Sequence, residues 1–237
     1  TLLHKNNIAC FRTPESCAES VKTFLNTNNP VKSKIFKNDF SKISKKLKKN
    51  ISKNLSEEES LEIFKKIGIQ IVDYKVSFNE KQAIEHSSQI GFPLAMKVLS
   101  NQILHKTETG GVELNIKNLE ELKTSFQKLS DVFQKLKMKS SDEKFLIQKM
   151  EKGIAEIILG YRVDELVGPI VVLGSGGILS EIYNDKSIRM APVDITEAKK
   201  MINEVKSLVT ITGYRGLPEA DINIIANAVV NMSKFAF

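Results

Sequence analysis

Residues 93 to 116 limit most tightly what this chain can fold into. "PLAMKVL" is apolar but for one lysine, "GVELNI" alternates apolar and polar residues, and the polar stretch "LHKTETGG" lies between them. That order spells a strand, a polar loop and a second strand. His105, one of three histidines in the chain, falls in the loop just before Gly110 and Gly111, away from any core position.

Helices and strands alternate on either side. "LSEEESLEIFKKIG" begins with Ser56 and Glu59 at capping-box spacing, its three glutamates favour the positive end of a helix dipole, and Gly68 can close the helix. Leu61, Phe64 and Ile67 supply its buried stripe. "IQIVDYKV" reads as a strand, and "NEKQAIEHSSQIGFP" as a helix stopped by Gly91 and Pro93, with His86 facing solvent. A helix over 118 to 137 carries Leu119, Leu122, Phe126, Leu129, Val132, Phe133 and Leu136 at core spacing. The strands "KFLIQKM", "IAEIILGYRV", "GPIVVLG" and "GILSEIY" follow between glycine turns, then helices near 195 to 208 and 218 to 236. The fold class is α/β (α+β) with two lobes, a mixed one and an antiparallel one, and the cleft between them is the default ligand site.

The chain has 237 residues, 41% of them hydrophobic, enough for a substantial core. A net charge of +7 invites a nucleic-acid reading. Many of the lysines, however, sit in one run at 31 to 54, rather than being interleaved with aromatics through the fold, as in a solvated linker. No nucleic-acid partner is expected. Two cysteines, Cys10 and Cys17, build no framework, and no run approaches 18 apolar residues, so no membrane partner and a cytoplasmic location are expected. A first residue other than Met and an uncapped final helix suggest a piece of a longer polypeptide.

Four groups can do chemistry. Lys97 is the polar exception in a strand made for burial, so its ammonium needs either an internal carboxylate or a phosphate. His105, with Lys106 and Gly110-Gly111, is an exposed loop histidine or a nucleophile toward phosphorus beside backbone N–H groups. "LIQKMEKGIAEIILG" (146 to 160) is an ordinary hairpin or a segment presenting backbone groups to a purine, with Glu156 pointing into the cleft or to solvent. "GSGG" at 174 to 177 lacks the GK[ST] ending of a P-loop. Beyond it, Glu181, Asp185 and Arg189, spaced four apart, offer carboxylates for Mg²⁺ and a cation for phosphate, or a surface salt-bridge set.

Taken in order, "SEEESLEIFKKIGIQI", "IGFPLAMKVLSNQILHKTETGGVELNI", "LIQKM", "EIILGYRVDELVGPIVVLGSGGILSEIYNDKSIRMAP" and "GYRGLPEAD" resemble the ATP-grasp region of NDP-forming acyl-CoA synthetases. That is the ADP-forming acetate–CoA ligase family, related to succinyl-CoA synthetase. The resemblance runs from about residue 55 to the end, and "ILHKTETGGV" followed by "GPIVVLGSGG" is its most specific part.

The resemblance implies a two-lobed ATP-grasp fold, incomplete at its C-terminus, with a nucleotide cleft between the lobes. Residues 1–30 would close a preceding CoA-ligase domain, 31–54 would link, 55–147 would form the first lobe and 148–237 the second. The reaction it implies is acid + CoA + ATP to acyl-CoA + ADP + phosphate through a histidine relay. His105 would carry the phosphoryl group, Lys97 and Arg189 would hold phosphates beside Gly110 and Gly111, and Gln148, Lys149, Met150 and Glu151 would accept adenine. Glu156 would belong to the nucleotide pocket. ATP/ADP and Mg²⁺ are the implied ligands, with the main metal ligands beyond residue 237 and Glu181 and Asp185 as further carboxylates. CoA would be bound by CoA-ligase domains of the same polypeptide, the other substrate would be a small carboxylic acid, and the full enzyme could form homo-oligomers. The competing expectation is a ligand-sensing module of a related protein acyltransferase, against which a phosphoryl-carrying histidine speaks.

Overall fold

The computed structural model describes residues 5–6, 9–27, 55–100, 109–135, 143–177 and 184–235. It divides into two units, Thr1–Lys37 and Asn38–Phe237. The first contains helix α1, Pro14–Thr27, whose start is tied by Thr13: the Ser16 N–H donates to Thr13 Oγ1 at 3.2 Å and Ser16 Oγ donates to the Thr13 carbonyl at 2.8 Å.

The second unit opens with α2, Glu57–Lys66, and the capping box is formed as the sequence spells it. Ser56 N–H donates to Glu59 Oε2 at 2.8 Å and Glu59 N–H to Ser56 Oγ at 3.2 Å. Next come β1, Tyr74–Ser77, α3, Glu80–Ile90, β2, Leu94–Val98, β3, Val112–Ile116, α4, Leu119–Lys135, and β4, Phe145–Lys149. Asn79 caps α3 by accepting the Gln82 N–H, and Asn118 caps α4 by accepting the Glu121 N–H. The strand expected over 69 to 76 is confined to β1 and the adjoining Asp73, whose carbonyl accepts the Lys149 N–H at 2.8 Å, because residues 69–72 are in no strand.

These strands make an antiparallel sheet in the order β1-β4-β2-β3. Side chains alternate across it. Leu94, Met96, Val98, Phe145 and Ile147 enter a core closed by Ala83 of α3 and Leu122, Leu129 and Phe133 of α4. Phe145 packs against Phe126 and, edge-on, Phe133, with ring centroids 4.6 and 5.5 Å apart. Leu119, expected in this stripe, is exposed, and Leu136 lies outside the described residues. His86 is half-buried rather than solvent-facing, since α3 packs on β1 and brings the imidazole Nδ1 to 2.9 Å from Oγ of the buried Ser77.

The second sheet, β5, Ile157–Asp164, β6, Gly168–Ser175, and β7, Lys186–Met190, is antiparallel in that order. Helices α5, Ile195–Glu204, and α6, Ile222–Phe235, cover one face, with 3₁₀ turns at Lys206–Ile211 and Tyr214–Gly216 between them. The strand expected at "GILSEIY" falls mostly on residues outside the described set, and the third strand is "KSIRM" instead. Val171 and Leu173 meet Met201, Ile202, Val229 and Met232 in its core. On the uncovered face Ile158, Ile188 and Met190 stay 44–63% exposed.

One assignment changes. Helix α2, expected to open the first lobe, contributes Ile63, Phe64 and the adjoining Ile67 to the core of the second. Of the expected stripe, Phe64 and Ile67 join that core while Leu61 does not and Ile63 does, and a stripe does not say which neighbour it buries against.

Candidate functional site

With α3 and α4 covering one face of the first sheet, alternation sends Ala95 and Lys97 of β2 to the other. Lys97 stands opposite Leu146 of β4 and Val112 of β3, and Ala95 stands opposite Gln148, so Gln148 shares this face. The Lys97 ammonium donates to Glu57 Oε1 at 2.6 Å, and the two side chains are 22% and 27% exposed. The internal carboxylate that the buried strand demanded is therefore present, supplied by the first turn of α2. Glu62, five residues beyond Glu57, accepts the hydroxyl of Tyr74 of β1 at 2.7 Å, and desolvation, reinforced by that carboxylate, pushes the phenol up to about 12. Helix α2 thus sits in the second core while touching the uncovered face of the first sheet twice.

The loop after Lys97 is closed at its base. Val98 N–H donates to the Gly111 carbonyl at 2.9 Å, so the segment holding His105 and Lys106 leaves and returns beside Lys97. His105 itself lies outside the described residues. Gly110, at φ +71°, turns the chain into β3, and Gly111 is buried.

Residues 146–160 are not a hairpin. β4 pairs with β1 and β2, β5 pairs with β6, and residues 150–156 carry the chain from one sheet to the other. The Lys149 ammonium is held by the carbonyls of Gly91 and Phe92 at 3.0 and 2.8 Å. Met150 N–H donates to the Pro93 carbonyl, and its sulfur accepts the Asn115 N–H. These bonds fix the start of the crossing, while Glu151 is exposed. At its end, Glu156 lies against the glycine turn: its carbonyl accepts the Gly176 N–H at 2.7 Å, and its Oε2 would lie 3.3 Å from a Cβ on Gly177. The sequence offered Glu156 and "GSGG" as separate signals, and the fold joins them.

Gly176 is required there. A Cβ would lie 2.9 Å from the Glu156 Cβ and 3.0 Å from its carbonyl carbon, closer than packed atoms allow. Gly176→Ala is expected to cost about 1–3 kcal/mol, as overpacking does, and to lower the melting temperature by several degrees. Calorimetry of wild type and variant checks it; an unchanged melting temperature would contradict this close approach.

Arg189 takes the salt-bridge alternative that its spacing offered, and Asp185 caps a turn. Arg189 on β7 donates Nε to Glu197 at 2.7 Å, pairs a second nitrogen with Glu204, and reaches Ser187 Oγ at 3.2 Å. Ser187 in turn donates to Glu204 at 2.6 Å, so the set fastens α5 to β7. Asp185 accepts the N–H groups of Lys206 and Ser207 at 3.1 and 2.7 Å, capping the 3₁₀ turn. Glu181 lies outside the described residues. Among the described residues no group of three or more His, Cys, Asp or Glu side chains could hold a metal ion, so they do not by themselves make a Mg²⁺ site.

The Arg189 bonds hold the carboxyls of Glu197 and Glu204 below the ordinary 4.5. Groups with depressed folded values stabilise the fold above the unfolded value and lose that contribution as pH falls through the folded one. Glu204→Gln is therefore expected to lower the melting temperature by roughly 1–4 °C near neutrality, since half-exposed pairs are screened by water. The gap to wild type should shrink below about pH 4.5. Melting curves at pH 7 and pH 3.5 check this, and a constant gap would contradict it.

A chain built as two antiparallel sheets, joined by one crossing beside a lysine and a glycine turn, has the architecture of a two-lobed nucleotide-binding domain. The family model described as "ATP-grasp domain" matches residues 46–237. The beta subunit of acetate–CoA ligase [ADP-forming] I from Pyrococcus furiosus is 37% identical over 180 residues, covering 76% of this chain and 78% of that subunit. Acetate–CoA ligase [ADP-forming] I of Archaeoglobus fulgidus is 35% identical over 75% of this chain, which spans only 26% of that enzyme. Among solved structures, the dinucleotide forming acetyl-coenzyme A synthetase 1 of Ca. Korarchaeum cryptofilum, in complex with coenzyme A, Ca-AMPCP and HgCl+, superposes with a TM-score of 0.75 at 30% identity, over 84% of this chain and 86% of that one. A second structure of that enzyme, with coenzyme A and Mg-AMPPCP and its phosphohistidine segment pointing towards the nucleotide binding site, gives a TM-score of 0.67 at 30% identity over 81% of this chain and 82% of that one. The chain belongs to the ADP-forming acyl-CoA ligase family and carries its ATP-grasp domain. No helix among the described residues is long and apolar enough to cross a membrane.

Proposed function

We propose that this chain is the ATP-binding part of an ADP-forming acyl-CoA synthetase and moves a phosphoryl group between ATP and a histidine relay. The supporting observation is the rooting of the His105 loop beside Lys97, through the Val98–Gly111 hydrogen bond. The residues on either side of the His105 segment, Val98 and Gly111, adjoin Lys97 in the first sheet, which supports a shared role for a phosphorus nucleophile and that ammonium. A neutral imidazole nitrogen of His105 attacks the γ-phosphorus, the P–N bond forms, the P–O bond to the β-phosphate breaks, and ADP leaves. Transfer back to ADP is the same step reversed.

Lys97 neutralises charge on the phosphates, and Gly110 and Gly111 let the loop approach them. Adenine is received where β4 passes into the crossing, at Gln148, Lys149, Met150 and Glu151; the Lys149 ammonium is already held by carbonyls and the Lys149 and Met150 N–H groups by the Asp73 and Pro93 carbonyls, so the base meets the remaining backbone groups of this segment. Ile158, Ile188 and Met190 offer the base an apolar surface, and Glu156 lines the pocket at the glycine turn. Arg189 and Asp185 hold the second lobe together instead of the ligand. Mg²⁺, when bound with the nucleotide, supplies charge neutralisation to the polyphosphate. Residues 1–30 close a preceding CoA-ligase domain and 31–54 link it to this one; that domain brings CoA and a small carboxylic acid.

The test is ATP–ADP exchange. With Mg²⁺ and labelled ADP, and without acid or CoA, label is expected to appear in ATP. No exchange despite bound ATP would overturn the relay and favour a sensing module.

A further inference from the structure

We infer that Glu57 is the exchangeable counter-ion of Lys97, a positioning residue that guards the phosphate site and yields the ammonium when a nucleotide's phosphates arrive. This rests on the nucleotide reading above and goes beyond it, because it gives a duty to a side chain that touches neither the base nor the reacting phosphorus.

Glu57 is the first residue of α2, and the helix around it is fixed from both sides. Ile63, Phe64 and Ile67 bury it in the second core, and Glu62 accepts the Tyr74 hydroxyl from the first sheet. Its cap is closed by Ser56 and Glu59. The backbone of Glu57 is therefore held, while its side chain keeps rotatable bonds. Lys97 is held just as firmly, between Leu146 and Val112 in a strand whose other residues are buried. An ammonium rooted in such a strand needs a partner whether or not a ligand is present.

Two facts make the pairing exchangeable. The two side chains remain 22% and 27% exposed, so water can take up the carboxylate as it leaves. The carboxylate also stands at the N-terminus of a capped ten-residue helix, where the helix dipole favours negative charge without Lys97. Phosphate oxygens that reach Lys97 meet the Glu57 charge directly, and like charges that close repel. Glu57 thus keeps the site ordered when no nucleotide is present and weakens the hold on ATP and ADP. A transfer that runs in both directions needs such a hold, because either nucleotide must leave.

The experiment measures equilibrium binding of ATP, ADP and adenosine to the wild type, Glu57→Gln and Glu57→Asp, with melting temperatures for each. Glu57→Gln is expected to bind ATP and ADP about tenfold more tightly, the effect of removing one charge at close range in a part-solvated site, and to bind adenosine as the wild type does. Glu57→Asp, which keeps the charge but draws it back by one methylene, should show a smaller gain, and it carries the test if the amide variant proves unstable. ATP affinity unchanged or weakened in both variants would overturn the inference, as would an equal gain for adenosine, which signals a loosened fold instead of a removed charge. Failure of the wild type and both variants to bind ATP or ADP would overturn the nucleotide reading itself.

Discussion

His105→Ala is expected to abolish ATP–ADP exchange and, with the CoA-ligase domains present, acyl-CoA synthesis, while ATP still binds within about threefold of wild type. The split follows from the proposed chemistry. The imidazole forms the only covalent bond of the half-reaction, so losing it removes the acceptor and leaves no route to transfer, a fall of roughly 10⁴-fold or more to background. Binding survives because the contacts assigned to the nucleotide lie elsewhere: Lys97 in β2, the crossing at 148–151 and Glu156 at the glycine turn. The Val98–Gly111 bond at the base of the loop uses backbone groups alone and does not depend on the imidazole. Exchange at a tenth of the wild-type rate or better would reject His105 as the carrier.

Lys97→Met is expected to lower the rate of exchange by roughly 10²–10³-fold, the usual loss when one preorganised charge-stabilising group is withdrawn from a transition state. Met keeps the length and apolar stem that pack beside Leu146 and Val112, so the strand should survive. Glu57 would then lose the Lys97 ammonium. Because it is 27% exposed and sits at a helix N-terminus, the stability loss should stay near 1 kcal/mol. Exchange kinetics and a melting curve on one preparation separate the two effects. A large drop in melting temperature with unchanged exchange would make Lys97 a purely structural partner of Glu57.

Local rules carried the reading a long way. Ser56 and Glu59 formed the capping box that their spacing spells, and Leu122, Leu129 and Phe133 buried the face that their periodicity marks. Both signals are written within a few turns of sequence, whatever the helix then packs against. Leu119, at the start of its helix, is exposed despite its spacing, and the larger departures involve distant partners. Nothing in "SLEIFKKI" distinguishes the core of one lobe from that of the other, so the sequence points α2 to its chain neighbours, whereas it packs with Met201 and Val229. Segment 146–160 admitted a hairpin, because the choice of pairing partner for β4 and β5 lies in residues up to about 70 positions away. Lys97 announced its need for a carboxylate, but Glu57, forty residues earlier, looked like one of three acids serving a helix dipole. Arg189 and Asp185 fit a ligand set by spacing alone, and only the packing of α5 and the 3₁₀ turn showed their charges already engaged.

The most direct measurement of the central claim is the site of phosphoryl attachment. The protein is incubated with Mg²⁺ and ATP labelled at the γ-phosphate, then digested and mapped at a pH that preserves acid-labile phosphoramidates. Label on the peptide holding His105, discharged on adding ADP, is the result expected of a histidine relay. Label on another residue, or none on that peptide while ATP remains bound, would contradict it.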